Sequence, residues 1–140
     1  MTRSRRKFWR AMLAVDTNVL VRYLKQDDPA QGRRARLLVD REDVFVTTSV
    51  MLETEWVLRS LYKIKAEALA NALRFFAGLP RVVLEEPALI MRAIAWFEGG
   101  MDFADAVHFG KAEKCDAFIT FDKDFIRAGA KLGTIPVRAP

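Results

Sequence analysis

The 140-residue chain has one cysteine, Cys115, one histidine, His108, and no apolar run approaching the roughly 18 residues needed to cross a bilayer. One cysteine rules out an internal disulfide and a multi-thiolate zinc site and fits a reducing compartment. Its expected role is that of a small buried hydrophobe. The first residues are too basic and too poor in apolar residues for a secretory signal, so a soluble, cytoplasmic protein with no membrane partner is expected. Internal repeats, linkers and low-complexity segments are also missing.

The chain is 51% hydrophobic, enough for one ordinary domain with a sizeable core. Its net charge of +5 is unevenly placed. Setting aside Arg3, Arg5, Arg6, Lys7 and Arg10 leaves 18 basic residues against 18 acidic ones, so the body is neutral. Residues 1–11 are therefore read as a basic extension, disordered or non-native because Met12 can itself serve as a start, with phosphate contact as a further reading. Residues 12–140 form one domain.

Apolar Leu13 to Val15 run into Asp16, after which Val19, Leu20, Tyr23 and Leu24 recur at helical spacing. A short buried strand thus gives way to a helix at Asp16. Asp28-Pro29-Ala30-Gln31 begins the next helix, with a capping acid, proline at the first position and glutamine at N3. Val44 to Thr47 has the composition of a second strand. Thr47, Thr48 and Ser49 offer caps for a helix whose stripe is Val50, Val57, Leu58 and Leu61. Further elements are a helix over Ala66–Ala77, a strand at Val82–Leu84, a helix from Pro87 stopped by Gly99-Gly100, and a helix from Asp102 to Lys114. Small residues Ala104, Ala106, Gly110 and Ala112 permit that last helix to pack closely. A strand at Ala117–Thr120, a helix over Asp122–Ala130 and an edge strand at Ile135–Val137 complete the chain. Alternating strands and helices predict an α/β sandwich around a mostly parallel sheet.

Ligands of such sheets bind beyond the carboxyl ends of the strands. Asp16 and Asp122 each follow a strand there, and each is open to two readings, helix cap or ligand. Glu53 shares the Val50, Val57 and Leu61 stripe, so it reads as a site carboxylate as well as a first-turn acid favouring the helix dipole. Glu55, four residues before Arg59, reads as an exposed ion pair. Asp102 is assigned mainly to capping, and Asp105, on the same face, to the site. Four converging carboxylates, Asp16, Glu53, Asp105 and Asp122, require a cation or strongly raised pKa values. Oxygen ligands without His or Cys suit Mg²⁺ or Mn²⁺, the equipment for phosphodiester hydrolysis by metal-activated water. Thr17, Asn18 and Thr120 flank the acids as supporting residues. His108 reads as a packed residue, and Trp9, Trp56 and Trp96 as core or interface aromatics.

Four segments, DTNVLVRYL from Asp16, SVMLETEWVLRSLY from Ser49, DFADAVHFGKA from Asp102 and FITFDKDF from Phe118, together resemble the PIN-domain ribonucleases, and more narrowly the VapC-type toxins of type II toxin–antitoxin modules. The resemblance implies that 12–140 is a single PIN-like domain, a three-layer α/β/α sandwich with a short, mostly parallel central sheet. It implies an endoribonuclease whose acids are Asp16, Glu53, Asp105 and Asp122, with Asp102 just ahead of the third and Asp124 near the fourth. It further implies an RNA substrate, a homodimer and a cognate antitoxin protein, for which the helix around Trp56, Leu61 and Tyr62 is a candidate contact.

Three rival readings stand beside this one. A haloacid-dehalogenase-like phosphatase needs a second aspartate two residues after the first, where this chain has Asn18. A non-catalytic module binding a metal or a basic peptide through the same acids shows no metal-dependent cleavage. A receiver-like domain requires paired acids ahead of its phosphoacceptor, and the first strand supplies one.

Overall fold

Strands are separated by one or two helices, and five of the helices start at a side-chain cap: Asp16, Asp28, Thr47, Asp102 and Asp122. The computed structural model describes residues 11–140. The expectations for the basic extension, apart from Ala11, and for Trp9 lie outside the described residues. The described residues gather into two units, one ending at Pro87 and one running from Ala88 to Pro140.

The first unit contains β1 (Met12–Ala14), α1 (Thr17–Leu24), α2 (Pro29–Arg41), β2 (Asp43–Val46), α3 (Thr48–Ser60), α4 (Ala66–Ala77) and β3 (Val82–Leu84). Its strands form a parallel sheet in the order β1-β2-β3, with Leu13 opposite Val44 and Phe45 opposite Val83. Parallel neighbours need crossovers, and α1 with α2, then α3 with α4, supply them. Asp28 starts α2 as expected, accepting from the Gln31 amide at 3.1 Å with Pro29 in the first turn. The Gln31 carboxamide oxygen is engaged by Arg22 Nε at 2.7 Å. Thr47 caps α3 through the Val50 amide at 3.2 Å. Leu20, Val44, Val46, Met51, Leu58, Leu69, Leu73 and Phe76 are buried, each large side chain worth about 1.5–3 kcal/mol of transfer free energy. The Tyr23 ring meets Phe76 edge-on at 5.6 Å.

The second unit holds most of α5 (Pro87–Glu98), then α6 (Phe103–Lys111), β4 (Phe118–Ile119), α7 (Lys123–Ala130) and β5 (Val137–Arg138). β4 and β5 pair in parallel, Phe118 opposite Val137. Phe118 donates its amide to Pro136 O at 2.8 Å, so the proline takes part through its carbonyl alone. Gly100, at φ 112°, turns the chain out of α5. Phe109 sits amid Trp96, Phe118 and Phe125, with Phe118 stacked on Phe125 at 4.7 Å. A Cβ on Gly110 would lie 2.5 Å from Leu89 Cδ1, so the missing side chain lets α6 approach α5.

The expected α/β class with parallel strands is therefore present, hydrogen-bonded as one sheet in each unit. Four local expectations need correction. The first strand is exposed at all three residues because β1 is an edge of its sheet, while the flanked β2 buries Val44 and Val46. The buried face of α3 carries Met51, Thr54, Glu55 and Leu58, not Val50, Val57 and Leu61. α6 ends at Lys111 rather than Lys114. Cys115 is exposed, since it lies in the turn that follows α6, where its amide donates to Ala112 O at 2.9 Å. No helix of the described residues is long and apolar enough to cross a membrane.

Candidate metal and active site

In the first unit the chain leaves β1 at Val15, whose amide donates to Phe45 O at 3.2 Å, and extended Asp16 then opens α1. Asp16 Oδ1 accepts from the Thr17 amide at 2.8 Å. Thr17 is buried and donates its hydroxyl to Glu53 Oε1 on α3. Two acids far apart in sequence are thereby tied to adjacent residues at the carboxyl end of β1. They line a recess of about 320 Å³ with Thr17, Asn18, Val57 and Tyr62.

Glu53 lines this recess together with Val57 and Leu61, the residues whose spacing it shares, but that side of α3 is exposed rather than buried. Glu55 pairs with Arg59 as expected, Nε to Oε2 at 2.7 Å, but its side chain is only 2% exposed. The expected surface pair therefore has its acid end in the core.

Two features of this unit escaped the sequence. Glu85 and Glu86 follow β3 in the post-strand position of Asp16, a signal that was there to read. They serve α3: Glu85 Oε1 accepts from the Thr48 amide at 2.9 Å and Glu86 Oε1 from the Thr48 hydroxyl at 2.6 Å. Beside Glu53, the Tyr62 hydroxyl donates to Asp27 Oδ2 at 2.8 Å, which holds the Asp27 carboxyl below the usual range. Arg22 donates to both Tyr62 Oη and Asp27 Oδ1 at 3.3 Å. Local sequence spacing cannot reveal a bond between residues as far apart as Asp27 and Tyr62.

In the second unit Asp102 caps α6, its Oδ2 accepting from the Asp105 amide at 3.1 Å. Asp105 is half-buried in the first turn. Burial, then the charges of Asp102 and Asp122, push its carboxyl above the usual range, against a smaller opposing effect of His108. Asp122 caps α7, with Oδ1 accepting from the Asp124 and Phe125 amides at 2.9 and 3.2 Å. Thr120 Oγ1 accepts from the Asp122 amide at 3.0 Å, fixing the turn. Asp124 is paired with Arg127 on the exposed side of α7.

Asp16, Asp102 and Asp122 are thus helix caps, as one of the two readings held. The cap bonds use Oδ1 of Asp16, Oδ2 of Asp102 and Oδ1 of Asp122. A carboxylate has two oxygens and about four lone-pair sites, so capping and ligation are compatible. The donor chemistry fits Mg²⁺ or Mn²⁺: Asp16 and Glu53 in one unit, and in the other an Asp105 whose ionisation neighbouring acids oppose and a cation favours. Among the described residues, no group of three or more His, Cys, Asp or Glu side chains is spaced to hold a metal ion.

The sequence profile of the PIN domain matches residues 13–131, a span that takes in all four candidate acids and reaches into both units. No curated protein matches the chain.

Proposed function

The chain belongs to the PIN-domain family, whose members are generally metal-dependent nucleases, and on that premise we propose that it is an Mg²⁺- or Mn²⁺-dependent endoribonuclease, the toxin of a type II toxin–antitoxin pair. Asp16, Glu53, Asp105 and Asp122 are its metal ligands, supported by Thr17, Asn18, Asp102, Thr120 and Asp124. The observation that supports this most is the Thr17 hydroxyl bond to Glu53, which sets two of the four acids beside each other from distant segments. The bound ion supplies an activated water and neutralises charge on the phosphate. Asp16 is fixed by its cap and by the strand before it, and Glu53 is fixed by Thr17, so these carboxylates are pre-organised. Asp105, whose carboxyl is raised by burial and by the charges of Asp102 and Asp122, is favoured in its ionised form by a neighbouring cation. A homodimer and a cognate antitoxin are the partners of this reading, with exposed Trp56 and Leu61 on and beyond α3 as candidate contacts.

Asparagine caps a helix about as well as aspartate, so Asp16→Asn separates the two roles of that residue. Its melting temperature stays near that of the wild type, while metal-dependent RNA cleavage falls by at least about 100-fold, since outer-sphere changes alone cost 10–100-fold. Undiminished cleavage by this variant contradicts the assignment. Cleavage in the presence of excess EDTA contradicts the metal.

A further inference from the structure

In the second unit five of the six phenylalanines, Phe97, Phe103, Phe109, Phe118 and Phe125, lie against other rings. The sixth, Phe121, is 83% exposed and meets no ring among the described residues. Its backbone is nevertheless fixed on both sides. The Thr120 amide before it donates to Arg138 O at 3.1 Å, continuing the ladder of β4 and β5, and Thr120 Oγ1 accepts from the Asp122 amide after it at 3.0 Å. Asp122 is in turn locked as the cap of α7 by the Asp124 and Phe125 amides. The turn thus presents Phe121 to solvent from between a strand and a helix start, directly beside a proposed metal ligand. The acids of this surface act on one another, since the charges of Asp102 and Asp122 both raise the Asp105 carboxyl.

We propose that Phe121 is a stacking platform for one unpaired base of the RNA substrate, the base beside the phosphate that is cut. The proposal rests on the nuclease reading above. Consecutive Cα atoms are about 3.8 Å apart, so a phosphate drawn to a cation at Asp122 brings its neighbouring base within reach of the next side chain. The acids nearby repel the RNA backbone, whereas a neutral ring binds the flat face of a base. Phenylalanine has few side-chain torsions and this one has a fixed backbone, so little freedom is lost when a base arrives. A base inside a duplex has both faces covered by its neighbours, so the contact selects single-stranded or looped RNA. Stacking strength grows with ring area, which favours a purine at that one position.

The test uses the full chain with Mn²⁺ and a single-stranded RNA pool of random sequence, whose cut ends are mapped. The wild type shows a purine preference at one nucleotide beside the cut. Phe121→Ala flattens that preference and lowers kcat/KM by about 5- to 150-fold, the range for removing a stacking aromatic, at an unchanged melting temperature. Phe121→Trp restores both, whereas Phe121→Leu, apolar but without a π-face, does not. An abasic nucleotide at that position costs the wild type as much as Phe121→Ala does, and costs the Phe121→Ala protein nothing further. Unchanged rate and base preference in a folded Phe121→Ala protein overturn the proposal, as does full rescue by leucine. A Phe121→Ala protein that passes from dimer to monomer while each subunit cleaves as before assigns the ring to a contact between copies and equally overturns it. In the Asp16→Asn protein, which leaves RNA intact, adding Phe121→Ala weakens the binding of fluorescein-labelled single-stranded RNA. That weakening, found where the wild type shows no metal-dependent cleavage, supports the stacking contact and overturns the nuclease reading alone.

Discussion

Glu53 and Glu55 stand two residues apart on one helix, and the structure gives them opposite surroundings from those their spacing suggests. Glu53 is exposed and tied to Thr17, whereas Glu55 is buried and tied to Arg59. The spacing put Glu53 on one side of α3 with Val57 and Leu61, with which it lines the recess, but the side that α3 buries includes Thr54 and Glu55, which no apolar pattern would select. Substitutions separate the two acids. Glu53→Gln retains the fold and loses metal-dependent cleavage. Arg59→Ala leaves the Glu55 carboxylate buried without its arginine and costs about 3 kcal/mol in urea unfolding, while Glu55→Leu costs less than about 1.5 kcal/mol; both leave cleavage intact in the folded protein. Asp105 gives a pH signature. Its carboxyl is raised in the folded state, so between the unfolded and folded pKa values the folded protein binds more protons and stability declines as pH rises, a penalty that persists above that interval. Metal-free Asp105→Asn therefore melts at higher temperature than metal-free wild type at neutral pH, and the gain disappears in acid below the ordinary carboxylate range.

Helix beginnings were legible because capping is local chemistry. Asp16, Asp28, Thr47, Asp102 and Asp122 all lie at the starts where their side chains accept backbone amides. Helix ends were less so: Ala112, Glu113 and Lys114 are good helix formers with no Gly or Pro among them, and yet α6 stops at Lys111. Close approaches between elements leave only a glycine as their trace. Gly129 on α7 faces Val137 on β5, where an added Cβ would lie 2.4 Å from Cγ2 and 3.1 Å from Cβ. Valine is stiff at χ1 and its Cβ is fixed by the backbone, whereas at Gly110 the obstruction is the tip of Leu89. Gly129→Ala is accordingly expected to destabilise by about 1–3 kcal/mol in urea unfolding, and by more than Gly110→Ala.

At the scale of the whole molecule, the α/β class and the order of the elements followed from alternating periodicities, while the division of the strands between two sheets did not, because pairing between distant segments leaves no local pattern. Asp16, Asp105 and Asp122 were legible as residues that follow strands or open helices, and Glu53 by its spacing from Val57 and Leu61. Their partners, Thr17 for Glu53 and the Tyr62 network beside it, were not. Asp16 and Glu53 belong to the first unit, Asp105 and Asp122 to the second, and the family match reaches into both. The central claim is that the proposed acids, Asp16 and Asp105 among them, are needed for metal binding. Calorimetric titration of Mn²⁺ into the wild type, Asp16→Asn and Asp105→Asn tests it most directly. The account predicts saturable uptake by the wild type and its loss when either aspartate is replaced in a folded protein; no uptake by the wild type, or uptake indifferent to both replacements, contradicts it.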